Sequence, residues 1–290
     1  MLPAELARQI RLLELRTDHL VEEITGGAYR SIFKGRGIEF DEVREYTTDD
    51  DVRSIDWNVS ARMGTPYVKK FIEERELVVM LVVDLSASGD FGAAEKSKRQ
   101  TAAELAALLA FSAGKNGDKV GLILFTDETE LCLPPRAGRK HALRIIRELL
   151  AFQPRRRGTD IDKVLQETAK LMKKRGIVFL LSDLNDPEKF SNSLKLLKLR
   201  QDVIAIELRD PAEMDFPLAV PAVFEDAETG EIVEYSGDRA QLNAEIAALE
   251  QAKAAVCRRA KVDLIPVDCS GDVLKPLIGF FADRRRRMRR

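Results

Sequence analysis

Apolar and polar segments alternate along most of the chain after residue 76. Short apolar runs bounded by polar residues predict strands buried on both faces, at residues 77–84, 119–126, 177–182, 202–206 and 262–267. The segments between these runs carry apolar residues at helical spacing and predict helices at residues 96–115, 140–151, 160–173, 187–198, 239–260 and 272–281. A short edge strand is predicted at 130–133. This alternation is typical of an α/β fold, a doubly wound and mostly parallel sheet with helices on both faces.

The first 76 residues follow a different pattern. Residues 3–23 predict an amphipathic helix that ends before Gly26 and Gly27. Residues 28–76 mix short strand-like and turn segments, and they are too few and too polar to hold a core of their own. We therefore expect this small α+β segment to pack on the sheet domain through its aromatic side chains, which are Tyr29, Phe33, Phe40, Tyr46, Trp57, Tyr67 and Phe71.

The pattern divides the chain into three parts: an N-terminal segment (1–76), a sheet domain (77–283) and a basic tail (284–290). Residues 222–236 alternate around a Gly-containing turn and predict a β-hairpin insertion within the sheet domain. The arginines of the tail fit the solvated C-terminus of a helix, where the helix dipole favours cations. A basic tail could also contact phosphates or an acidic partner surface.

Charge and hydropathy exclude some functions. The net charge is −1, so no general attraction to nucleic acid or to anionic lipid is expected. No apolar stretch reaches the roughly 20 residues of a membrane-spanning helix, and the N-terminus has no signal pattern, so we expect a cytoplasmic protein without a membrane span. The three cysteines are expected to be buried free thiols of a reducing compartment.

Five oxygen-bearing side chains follow the predicted strands in a way that suits a metal ion. Asp84, Ser86 and Ser88 come directly after the first strand, Thr159 lies on a polar loop before a helix, and Asp183 follows the strand at 177–182. The carboxyl ends of parallel strands gather at one edge of the sheet, so these side chains could converge. Hydroxyls and carboxylates suit a hard cation, Mg²⁺ first and then Mn²⁺ or Ca²⁺.

Each part of this pattern also has a simpler explanation. Polar residues after a strand are often only a solvated turn. Thr159 could cap the following helix together with Asp162, three residues later. Ser182 and Asp183 could cap the helix that begins near Pro187. The metal interpretation is preferred because all three loops carry the required residue types at the ends of the expected elements.

The five residues resemble the metal-ion-dependent adhesion site of von Willebrand factor A-type (vWA) domains, in which Asp-x-Ser-x-Ser is followed by a Thr and an Asp. A second resemblance, to the bacterial DUF58 family, covers about residues 26 to 90. It is carried by GRGIEFDEVREY (35–46), DDVRSIDWN (50–58) and EERE (73–76). Members carry this segment directly before a vWA domain and are commonly encoded beside MoxR-type AAA+ ATPases. The resemblance implies a chaperone-like pairing with such an ATPase.

Together these features predict a non-catalytic, metal-dependent adaptor that binds an acidic residue of a MoxR-type ATPase or of a client protein. The alternative is a Mg²⁺-dependent phosphotransferase or phosphatase of the haloacid-dehalogenase type, with Asp84 as nucleophile. Those enzymes need a second Asp two residues later as acid and base, and Ser86 cannot serve near neutral pH. No Gly-rich phosphate loop is present, so ATP hydrolysis is not expected. Nucleic-acid binding would rest on the arginine tail alone.

Overall fold

The computed structural model describes residues 39–47, 50–72, 77–90, 96–214, 222–235 and 239–288. The helix predicted over residues 3–23 lies outside these ranges. The first described elements form a small unit in which strand β1 (Glu39–Glu45) pairs antiparallel with β2 (Tyr67–Ile72). A 3-10 turn (Val52–Ser54) and the short helix α1 (Trp57–Met63) lie between the two strands.

The remaining elements alternate between strand and helix. In chain order they are β3 (Val78–Asp84), a 3-10 turn (Ala87–Asp90), α2 (Lys98–Lys115), β4 (Lys119–Phe125), β5 (Thr129–Arg136), α3 (Arg139–Ala151), α4 (Ile161–Leu171), β6 (Ile177–Ser182), α5 (Pro187–Arg200), β7 (Asp202–Arg209), α6 (Pro211–Met214), β8 (Ala222–Glu225), β9 (Ile232–Tyr235), α7 (Arg239–Ala260), β10 (Asp263–Asp268) and α8 (Leu274–Met288). This order confirms the predicted α/β fold.

The central sheet has the strand order β10-β7-β6-β3-β4-β5 within the described residues. All neighbours pair in parallel except β4 and β5. The chain leaves β3 towards β4 and β5, and it later returns to place β6 on the other side of β3. The topological switch point therefore lies between β3 and β6, and ligands of open α/β sheets bind at the carboxyl ends of the strands at such a point.

The core has two layers, one on each face of the sheet. Val79, Leu81 and Val83 of β3 pack with α2, α3 and α8, whereas Met80 and Val82 pack on the opposite face with α4, α5 and α7. Alternate strand residues point to opposite faces, so a strand covered on both sides reads as a continuous apolar run. Helix α2 carries many alanines and is buried along most of its length, which lets it lie close to the sheet.

One aromatic side chain of the N-terminal unit, Trp57, departs from our expectation that these rings pack on the sheet domain. Trp57 is 68% exposed. The reason is the orientation of α1. Its inner face carries Ser60 and the capping residue Asp56, which are four residues apart. The Ser60 hydroxyl accepts a hydrogen bond from the backbone N of Tyr67 at 2.8 Å. Trp57 follows Asp56 by one residue, about 100° around the helix, and so turns towards solvent.

Two other predictions are refined by the structure. The hairpin expected near residues 222–236 is present as β8 and β9. Residues 284–287 form part of the C-terminal end of α8, as the interpretation of the tail as an arginine-rich helix C-terminus predicted, and Arg284 lies against Asp202 and Asp263. Cys257 and Cys269 are buried free thiols, but Cys132 is exposed because it lies on the edge strand β5. In the described part of the chain, no helix is long and apolar enough to cross a membrane.

Candidate functional site

Three loops meet at the carboxyl end of β3, and backbone hydrogen bonds hold them together. The backbone N of Leu85, just after β3, donates to the carbonyl of Phe125 at the end of β4, at 2.8 Å. The N of Ala87 donates to the carbonyl of Arg157 at 2.8 Å, which joins the loop after β3 to the loop before α4. Arg99 of α2 also donates to the Leu85 carbonyl, at 3.0 Å. These bonds bring two of the three predicted loops, the one after β3 and the one before α4, into contact.

Four of the five predicted metal-binding residues line one small cavity of about 10 Å³: Asp84, Ser86, Ser88 and Asp183. The backbone N of Ser86 donates to Asp84 Oδ1 at 2.9 Å, and the hydroxyls of Ser86 and Ser88 lie 3.0 Å apart. Asp84, Ser86 and Asp183 are buried. These are hard oxygen donors gathered around a space the size of one small ion or water, and they fit a divalent cation of the Mg²⁺ type.

The fifth residue, Thr159, does not line the small cavity. Its hydroxyl donates to Glu228 Oε1 at 2.5 Å, and it lines an adjacent cavity of about 690 Å³ that shares only Ser88 with the small one. Glu228 belongs to the turn between β8 and β9, so the hairpin insertion reaches the predicted site. The adjacent cavity is rich in carboxylates, which are Asp160, Asp162, Asp186, Asp226 and Glu228.

The simpler explanations for Thr159 and Asp183 do not hold. Helix α4 is capped by Asp160, whose side chain accepts from the backbone N of Lys163, so Thr159 is not the cap. The N-cap position of α5 is Asp186, which makes no side-chain cap bond. Ser182 is instead part of the site, because its hydroxyl donates to Asp84 Oδ2 at 2.7 Å.

The electrostatics of the site favour a cation. Burial, followed by the nearby charge of Asp183, raises the pKa of Asp84 to about 7, against the opposing effect of the hydrogen bonds from Ser86 and Ser182. Two carboxylates that are costly to ionise side by side are stabilised by any positive charge placed between them. In the described residues no group of three or more His, Cys, Asp or Glu side chains forms a metal cluster, so this site depends on two carboxylates supported by hydroxyls.

The structure adds a residue that the sequence analysis missed. Lys98, the first residue of α2, is 2% exposed, and its Nζ donates to Asp183 Oδ2 at 3.1 Å and to Glu213 Oε1 at 2.7 Å. Burial lowers the pKa of Lys98, but the charges of Asp183 and Glu213 outweigh that effect, so its pKa is raised and the group stays an ammonium. The available signal was a lysine in the first turn of a helix, where the dipole disfavours a cation.

Comparison with known proteins gives one family. The family model described as "Protein of unknown function DUF58" matches residues 42–256 of the chain. An uncharacterised protein of Mycobacterium tuberculosis is 32% identical over 287 residues, which cover 97% of this chain and 90% of that protein. An uncharacterised protein of Mycobacterium avium is 31% identical over 146 residues, covering 49% of this chain and 82% of its own.

Solved structures with a related arrangement share little sequence with the chain. The conserved hypothetical protein BatB from Bacteroides thetaiotaomicron has a TM-score of 0.49 and 17% identity, covering 72% of this chain and 99% of its own. The VWA domain of SpRpn10 has a TM-score of 0.41 and 13% identity, covering 71% and 95%.

Proposed function

The chain belongs to the DUF58 family, and from this premise and the geometry of its site we propose that it is a non-catalytic adaptor that binds other proteins through a divalent cation. The observation that carries the proposal is the convergence of Asp84, Ser86, Ser88 and Asp183 on one small cavity at the switch point of the sheet. Mg²⁺, or Mn²⁺ or Ca²⁺, would be held by these four residues, with Thr159 beside them.

The bound cation would supply an open coordination position for a carboxylate of a partner protein. Mg²⁺ keeps several positions for water or for outside ligands when only one or two protein carboxylates bind it. The partner we propose is a MoxR-type AAA+ ATPase, acting with this chain in the cytoplasm in chaperone-like assembly or maturation of client proteins. The resemblance of residues 26–90 to the DUF58 family supports this pairing, and the resemblance of the five-residue motif to the vWA adhesion site supports a contact completed by the metal.

The absence of catalysis is part of the same proposal. Ser86 stands two residues after Asp84, where a haloacid-dehalogenase phosphotransferase requires a second carboxylic acid. This feature favours binding a partner over turning over a substrate.

The first test is cation binding by the full chain, measured by calorimetry with Mn²⁺. Asp84→Ala and Asp183→Ala should each weaken binding at least about 100-fold, because each removes a buried carboxylate ligand. Asp186→Ala is the matched control: Asp186 lies on the neighbouring cavity, is exposed and pairs only with Lys189 among the described residues. An affinity that is unchanged in Asp84→Ala, with native far-UV circular dichroism, would contradict the site.

The second test is binding to the purified ATPase in Mg²⁺ and in EDTA. A metal-completed contact should be lost in EDTA and in Asp84→Ala, and it should persist in Asp186→Ala. Binding that is equal in Mg²⁺ and EDTA would show that the metal site does not make the contact. Metal-dependent hydrolysis of phosphoesters or ATP by the pure chain, lost in Asp84→Asn, would overturn the non-catalytic assignment.

A further inference from the structure

Lys98 places a positive charge inside the candidate metal site. It lines the same small cavity as Asp84, Ser86, Ser88 and Asp183. Its Nζ bridges two carboxylates, that of Asp183 in the site and that of Glu213 on α6, whose side chain is 36% exposed at the rim. The side chain therefore runs from the start of α2 across the carboxyl edge of the sheet to α6.

Two physical costs oppose a lysine at this position. A buried ammonium loses its hydration, and a cation in the first turn of a helix meets the positive end of the helix dipole. The Ser97 capping box satisfies the backbone of this turn, so the lysine contributes nothing to capping. The compensating interactions are the two carboxylates, one of which is a predicted metal ligand.

We propose that Lys98 is a tethered cation of the metal site, which neutralises Asp183 in the metal-free protein and is held by Glu213 when Asp183 turns to a divalent ion. The inference rests on the proposed function and deepens it, because it assigns the residues that set how tightly the ion is held. Lys98 and Glu213 are positioning residues here, and neither is a metal ligand.

The proposal predicts effects of opposite sign at the two ends of one ion pair. Removing the Lys98 charge removes repulsion of the ion and leaves Asp183 free, so Mn²⁺ should bind about tenfold tighter or more. Removing the Glu213 charge leaves the ammonium dependent on Asp183 alone, so Mn²⁺ should bind about threefold weaker or more. If the pair only supported the local structure, both substitutions would disturb the site and both would weaken binding.

The experiment is Mn²⁺ calorimetry on the full chain at pH 8 with Lys98→Met, Lys98→Gln and Glu213→Gln. Lys98→Gln keeps hydrogen-bond donors for both carboxylates and serves if the Met variant does not fold. The matched control is Lys253→Met: Lys253 is also buried and bridges two acids, Glu207 at 3.3 Å and Glu250 at 2.9 Å, without contacting the site. Thermal melts in EDTA and in Mn²⁺ give a second readout of ion binding.

Tighter binding in the Lys98 variants, weaker binding in Glu213→Gln and unchanged binding in Lys253→Met would support the tethered cation. Binding by the wild-type chain with equal or weaker binding in both Lys98 variants would overturn it and leave the proposed metal site standing. No binding by the wild type and by any variant would overturn both. Binding by the Lys98 variants alone would support the tethered cation and overturn the metal dependence of the natural chain.

Discussion

Replacing Asp84 with Asn should stabilise the metal-free protein at alkaline pH, although it removes a predicted ligand. The Asp84 carboxylate is buried beside Asp183, and its pKa is raised to about 7 from the ordinary value of 3.8. A pKa difference of that size between the folded and unfolded chains corresponds to at most about 4 kcal/mol of unfolding free energy. Asn has the same shape and carries no charge, so it removes this electrostatic cost.

The sign of the pH dependence follows from proton binding. Between pH 3.8 and about 7 the folded chain holds the Asp84 proton more tightly than the unfolded chain, so stability falls as the pH rises through this range. Below pH 4 Asp84 is protonated in both the folded and the unfolded wild type. Wild type and Asp84→Asn then differ only in the hydrogen bonds that a carboxylic acid and an amide make, including the one with Ser182. We expect this difference to change the unfolding free energy by about 1 kcal/mol.

The assay is urea unfolding in EDTA at pH 5, 6, 7 and 8, with wild type, Asp84→Asn and the exposed control Asp186→Asn. The unfolding free energy of wild type should decline by a few kcal/mol relative to Asp84→Asn between pH 5 and pH 8, and the control should follow wild type. Saturating Mg²⁺ should then stabilise wild type and leave Asp84→Asn unchanged. Parallel pH curves for wild type and Asp84→Asn would refute the carboxylate crowding that underlies the site.

Three further predictions concern the fold. Gly176→Ala should lower the unfolding free energy by about 2–3 kcal/mol or more, because an added Cβ would lie 2.3 Å from the Val78 carbonyl oxygen. Gly279→Ala in α8 should raise it by about 0.5–1 kcal/mol, because the added Cβ would meet nothing within 4 Å. Thermal melts of both variants measure these changes. Trp57→Ala should change the unfolding free energy by less than about 1 kcal/mol, against 3–5 for a buried ring. Ellman's reagent should label one thiol of the native protein, and Cys132→Ser should abolish that labelling; rapid labelling of the other two would contradict their burial.

The apolar runs predicted the strands well because both faces of the sheet are covered, and the errors occur where polar or cyclic residues interrupt a run. Strand β7 was predicted to stop at residue 206, yet it continues to Arg209 with a fully buried Glu207. Glu207 is tolerated because Arg209 and Lys253 supply opposite charges, and Lys253 lies 46 positions later in the sequence. Local pattern cannot show such a partner.

Edge position explains the other shortened strand. Strand β5 was predicted over residues 130–133, but it extends from Thr129 to Arg136 and includes Pro134 and Pro135. It pairs with β4 on one side only, and a proline can occupy an edge strand because its missing N–H is not needed by a second neighbour. The sequence analysis therefore predicted the edge position of this strand correctly but made the strand too short.

The residues of the candidate site also differ in how far the sequence predicts their position. Asp84, Ser86 and Ser88 are fixed by one strand end, and Asp183 by the neighbouring strand, so knowing the sheet places all four. Lys98 reaches the site from the first turn of a helix, across 85 positions of sequence, and no spacing rule connects it to Asp183.

That distant lysine changes the balance of charge in the site. Two buried carboxylates alone would make cation binding a requirement for stability, whereas a tethered ammonium lets the protein fold without an ion and makes binding a separate event. An adaptor that must release its partner benefits from this separation, because the contact can then be lost without unfolding the site. The contrast between Lys98→Gln and Glu213→Gln therefore bears on how the proposed contact is made reversible, beyond whether an ion binds.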